Sequence, residues 1–117
     1  MTAGRPALTP GVYRVAPPAA EAARALQEGG WHAALVPPVT STADLYAALA
    51  QSLGLPSWFG ANLDALWDCL TDLTEPTALV LAEWTRYEHA EPGQAPRFLR
   101  LLHDRTRSDP PFAVLLV

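Results

Sequence analysis

The sequence has no lysine. All eight basic residues among its 117 are arginines, and none lies between Arg24 and Arg86. Without lysine a P-loop is excluded, and no GxGxxG run offers a dinucleotide-binding turn instead. The acids inside the arginine-free gap are Glu28, Asp44, Asp64, Asp68, Asp72, Glu75 and Glu83. An acidic stretch without counter-charges of its own repels nucleic acid and attracts basic partners. Cysteine is equally scarce. Cys69 stands alone, so no internal disulfide can form, which fits a reducing cytoplasm. With no basic neighbour in sequence, a buried structural thiol is expected there. The first residues, MTAGRPALTPGVYRV, lack the apolar run of a signal peptide, and no apolar segment is long enough to cross a bilayer. The three histidines, His32, His89 and His103, are scattered, none at metal-ligand spacing with a second ligand. No nucleophile sits beside a plausible base. Neither cofactor nor metal is implied.

What is present is a chain that is half hydrophobic, with a net charge of -4 and a length suited to one domain with a real core. Its punctuation is mostly proline and glycine. Residues 1–10, with Gly4, Pro6 and Pro10, read as a loose tail. Val12–Val15 reads as a short strand ended by Pro17-Pro18, and Ala19–Gln27 as a helix closed by Gly29-Gly30. Trp31–Val36 is short, apolar and flanked by Gly and Pro, which predicts a buried strand. Ser41 or Thr42 caps a helix over Ala43–Ser52 that turns Leu45 and Leu49 to the core and stops at Gly54. Ala78–Ala82 and Phe112–Val117 are continuous apolar runs and predict buried strands. Between them lie a short helix over Thr85–Ala90 and an amphipathic helix over Arg97–Arg107, with Phe98, Leu101 and Leu102 on its apolar side. Strands separated by helices predict an α/β fold: a small parallel sheet of three or four strands, in two or three layers.

The stretch from Trp58 to Leu73, WFGANLDALWDCLTDL, carries the most information. On a helix, Leu63, Leu66, Leu70 and Leu73 fall on one side, with Trp67 at the edge. Asp64, Asp68 and Asp72 recur every four residues as a ridge on roughly the opposite side. Asn62 is placed to cap the helix, and Gly60 permits a positive-φ turn before it. Spacing alone does not make such a ridge a binding face, because solvated helix faces commonly look the same.

The run Gly60-Ala61-Asn62-Leu63-Asp64-Ala65-Leu66-Trp67-Asp68-Cys69-Leu70-Thr71 closely resembles the helix signature of the barstar family, cytoplasmic inhibitors that protect a bacterium from its own secreted ribonuclease. Ser41–Pro56, with Asp44-Leu45 and Leu55-Pro56, resembles the first family helix and its exit. Leu79–Trp84 and Phe112–Val117 resemble family strands. The resemblance covers about residues 31–117 as a barstar-like domain. Residues 1–30 stand as an N-terminal extension that would add a strand and a helix.

The resemblance implies a ribonuclease inhibitor that is not an enzyme. Its acidic helix and preceding loop would plug the basic active site of a guanyl-specific extracellular ribonuclease of the barnase type, carboxylates standing where RNA phosphates would sit. By position, Asp68 is the chief phosphate mimic and Asp64 a second contact. Trp58 takes the place of an aromatic that packs on a catalytic histidine. Gly60, Asn62, Trp67 and Thr71 match loop and helix contacts, and Asp104 matches a late-helix acid. Ala61 replaces a common acid, and Asp72-Leu73 replaces a Gly-Trp pair in or near that surface. Two alternatives stay open. One is an antidote of the same fold for a different basic toxin, marked by Ala61, Asp72 and Leu73. The other is an enzyme using Asp64, Asp68, Glu83 and a histidine as cation ligands or general acid and base.

Overall fold

The computed structural model describes residues 8–56 and 59–117. Its centre is a pair of strands that water does not reach, β3 (Thr77–Leu81) and β4 (Phe112–Leu116), buried at every position. They pair in parallel, Leu79 opposite Val114. Such unbroken apolar strands suit the middle of a parallel sheet, where helices cover both faces. On the outer side of β4 lies β1 (Gly11–Arg14), with Val12 opposite Val114. On the outer side of β3 lies β2 (His32–Val36), with Ala34 opposite Leu79. The sheet is four-stranded in the order β1-β4-β3-β2, and all its pairings are parallel.

Because side chains alternate across a strand, the two faces collect different residues. Leu79, Leu81, Phe112, Val114 and Leu116 enter the larger core beneath α2 (Thr42–Leu53), α3 (Leu63–Thr71), α4 (Trp84–Ala90) and α5 (Ala95–Arg105). Ala78, Val80, Ala113 and Leu115 enter a smaller core beneath α1 (Ala19–Glu28), which contributes Ala23 and Leu26 at helical spacing, and against Trp31. The result is a three-layer α/β/α arrangement, as expected of the α/β class. The second strand corrects one expectation. Short apolar runs do not distinguish a central strand from an edge strand, and β2 is an edge: Ala34 and Val36 are buried while His32 is exposed and Leu35 is 42% exposed. Its open edge is partly occupied, since the Ser52 hydroxyl of α2 donates to the Leu35 carbonyl at 2.9 Å. At the opposite edge, Arg14 of β1 pairs with Glu88 of α4 at 3.1 Å.

Helix ends follow local chemistry. The Ser41 hydroxyl accepts from the Asp44 amide at 3.1 Å to start α2. Gly54, in the left-handed region at φ 65, ends it. None of the helices among the described residues is long and apolar enough to cross a membrane.

Candidate functional site

The entry to α3 is built by Asn62. Its side-chain oxygen accepts from the Ala65 amide at 2.8 Å, satisfying one of the donors a helix start leaves unpaired. The Asn62 side-chain nitrogen donates to the Gly60 carbonyl at 3.2 Å. The left-handed residue of this loop is Ala61, at φ 50, and not Gly60 as expected from composition. Gly60 serves a different need: a Cβ there would come within 3.2 Å of the Asn62 side-chain nitrogen. Trp58 lies outside the described residues.

Along α3, Leu66, Cys69 and Leu70 are buried, with Leu63 and Leu73 half-buried against the larger core. Asp64, Asp68 and Asp72 are exposed. Among the described residues none of the three forms a salt bridge. Asp64 stands in the first turn, where the helix dipole favours a carboxylate. The Thr71 hydroxyl donates to the Asp68 carbonyl at 2.9 Å. Behind the ridge, burial raises the pKa of the Cys69 thiol, and the charges of Asp72 and Asp68 push it the same way. This is an inert structural sulfur.

The ridge is not wholly an open helix face. Asp64 and Trp67 form one wall of a groove of about 320 Å³ between α3 and α5. Leu63 and Leu101 also line it, and α5 contributes Arg97, Arg100 and Asp104. The structure therefore brings Asp64, Trp67 and Asp104 together across two helices. It also sets two guanidinium groups among the acids, which the arginine-free stretch around α3 gave no reason to expect. Positions 97, 100, 101 and 104 share one helical face, so the stripe was visible in the sequence; which helix it would face was not.

A third arginine went unrecognised. Arg105 is completely buried, on the same face of α5 as Phe98 and Leu102. Its Nε donates to the Leu70 carbonyl at 2.8 Å, at the last turn of α3. Its Nη1 donates to the carbonyls of Ser108 and Pro110, at 2.9 and 3.1 Å. The guanidinium lies 5.3 Å from the Phe112 ring centre. Burial lowers its pKa, an effect that the charge of Asp109 opposes. A cation at the negative end of the α3 dipole is well placed, and it ties the acidic helix to α5 and to the turn before β4.

Of the groups named for an enzyme, Glu83 and one histidine have ionic partners, while Asp64 and Asp68 do not. Glu83, at φ 50, pairs with Arg86 at 3.2 Å, and His32 meets Glu75 at 3.3 Å on the surface. No set of three His, Cys, Asp or Glu side chains among the described residues is arranged to hold a metal ion.

Two comparisons bear on this geometry. The sequence profile of a family described as "Barstar (barnase inhibitor)" matches residues 34–117, which includes α3, α5, β3, β4 and the second half of β2. A Bacillus subtilis (strain 168) protein named "Putative ribonuclease inhibitor YrdF" is 50% identical over 38 residues, 32% of this chain and 42% of that protein. The chain thus spans less than half the length of that relative. With a family match over well more than half its residues, on a parallel α/β scaffold, the chain belongs to the barstar family.

Proposed function

We propose that this protein is a cytoplasmic inhibitor of a guanyl-specific extracellular ribonuclease. Its acidic face on α3, with Asp104 of α5, covers the basic active site of that enzyme. The observation that carries this reading is the exposed pair Asp64 and Asp68 on a capped, core-anchored helix within the family match, with exposed Asp72 at its C-cap. A ribonuclease must gather cations to hold RNA phosphates. Carboxylates fixed on a rigid helix meet those cations with charge-assisted hydrogen bonds and little loss of side-chain freedom beyond what folding has already taken. Asp68 is the central anchor, with Asp64 and Asp104 beside it. Gly60, Asn62, Trp67, Thr71 and Asp72 form the surrounding contact surface, and Trp58 is assigned to it by its place in the sequence motif alone.

Inhibition of a barnase-type ribonuclease by the parent and by Asp68→Ala tests this. The parent blocks RNA cleavage at near-stoichiometric concentration. The variant loses about 2–5 kcal/mol of binding, the general cost of truncating one member of a buried charge pair, for which barnase–barstar is itself the standard example. A variant that inhibits as well as the parent would place the contact elsewhere. A second reading, an antidote for another basic toxin, is favoured by Ala61, Asp72 and Leu73, which differ from the family pattern close to the ridge. A folded parent that leaves the ribonuclease fully active supports it.

A further inference from the structure

We infer that Arg97 and Arg100 are specificity residues, and that the partner presents an acidic side chain beside the cations that meet Asp64 and Asp68. This rests on the inhibitor reading above. Asp64, Asp104, Arg97 and Arg100 line one groove of about 320 Å³, walled also by the apolar side chains of Leu63, Trp67 and Leu101. Arg97 and Arg100 are exposed, and neither makes a salt bridge among the described residues. The polar contact of the Arg97 side chain is a long one, 3.5 Å to the Gln94 amide oxygen. The two guanidinium groups therefore remain available to a partner, directly beside the carboxylates.

A uniformly basic surface laid on this face meets attraction at Asp64, Asp68 and Asp104 and repulsion at Arg97 and Arg100. Like charges brought together at an interface weaken binding and select against the wrong partner. The face becomes fully complementary only when the opposing rim carries a carboxylate over the α5 side. The occupant is then a ribonuclease whose cationic cleft has an acidic residue on its rim. The apolar floor around Trp67 keeps water from screening those contacts.

The probe is a barnase-type ribonuclease with a uniformly basic rim, together with a panel of its single Lys→Glu and Arg→Glu rim variants. Binding is measured by surface plasmon resonance at low and high salt. Arg97→Glu/Arg100→Glu is expected to bind the unmodified enzyme at least about tenfold tighter than the parent does, mainly through faster association that high salt suppresses. At least one rim variant is expected to do the reverse, tightening on the parent and weakening on the double variant. Both substitutions are on the surface, and an unchanged melting temperature confirms that the double variant is folded. A double variant that binds the whole panel as the parent does, or binds the unmodified enzyme more weakly, overturns the inference. Asp68→Ala separates the two claims. If it alone weakens binding, the inhibitor reading stands and this one falls. If neither Asp68→Ala nor the arginine pair changes binding, or no form of the chain binds, both fall.

Discussion

At the scale of single residues, the fold depends on a charge that is completely buried, Arg105. Arg105 donates to three backbone carbonyls, at Leu70, Ser108 and Pro110, the first of which also accepts from the Leu73 amide at 3.4 Å. Arg105→Met keeps much of the volume but removes the guanidinium from all three oxygens, of which those of Ser108 and Pro110 are only part-buried. Urea denaturation should show a loss of about 3 kcal/mol, since each abandoned buried polar group costs about 1–3 kcal/mol and some relax toward water. Alkaline pH probes another set of residues. Burial raises the pKa values of Cys69, Tyr46 and Tyr87, so all three prefer to stay protonated in the folded chain. Groups with raised acid pKa values stabilise fully below their unfolded pKa and lose that contribution as pH climbs past it. Stability should therefore be flat through neutrality and fall from about pH 8.5 upward, the thiol first and the phenols from about pH 10. Cys69→Ala should delay the onset, as read from melting temperature against pH.

At the scale of elements, α3 divides its labour cleanly between two faces. Leu66 is fully buried and touches the larger core, whereas Asp68 is exposed. Leu66→Ala should cost about 2–5 kcal/mol, the range for a leucine cavity that cannot collapse. Asp68→Ala should alter folding stability by less than about 0.5 kcal/mol, as an exposed substitution away from caps and cores does. Chemical denaturation of both variants alongside the inhibition assay distinguishes a binding residue from a structural one. This division was legible in the sequence, because 3.6-residue periodicity fixes which side chains share a face regardless of what surrounds the helix. The Asn62 cap was legible for the same reason, being a contact between residues three apart. The loop before it was less so. Ala61 takes the left-handed conformation although Gly60 is adjacent, and composition does not say which of two neighbouring residues will; Gly60 instead sits in a tight local contact, where a Cβ would come within 3.2 Å of the Asn62 side-chain nitrogen. The edge position of β2 was not readable either, since an apolar hexapeptide fits the side of a sheet as well as its middle.

At the scale of the molecule, two cores share one sheet. The smaller one depends on the first thirty residues, because α1 covers Ala78, Val80, Ala113 and Leu115, and β1 shields the outer side of β4. A chain beginning at residue 31 would expose that apolar face and leave β4 as an open edge. Such surfaces promote association. The shortened protein should melt well below the full chain and aggregate in light scattering, even though residues 34–117 hold the family match.

The sequence by itself determined the order of elements, the parallel α/β class, the acidic helix with its cap and apolar stripe, and the family. Each of these is written in contacts between near neighbours or in the period of a hydrophobic pattern, which the chain carries without reference to the rest of the fold. Only the tertiary structure decided what stands opposite that helix. Arg97 and Arg100 are some thirty residues distant from the aspartates in the sequence, and Arg105 reaches α3 from the far end of α5. Where two helices lie side by side is set by how their apolar faces pack on one sheet, and no local pattern in either helix records which charges that packing will bring together.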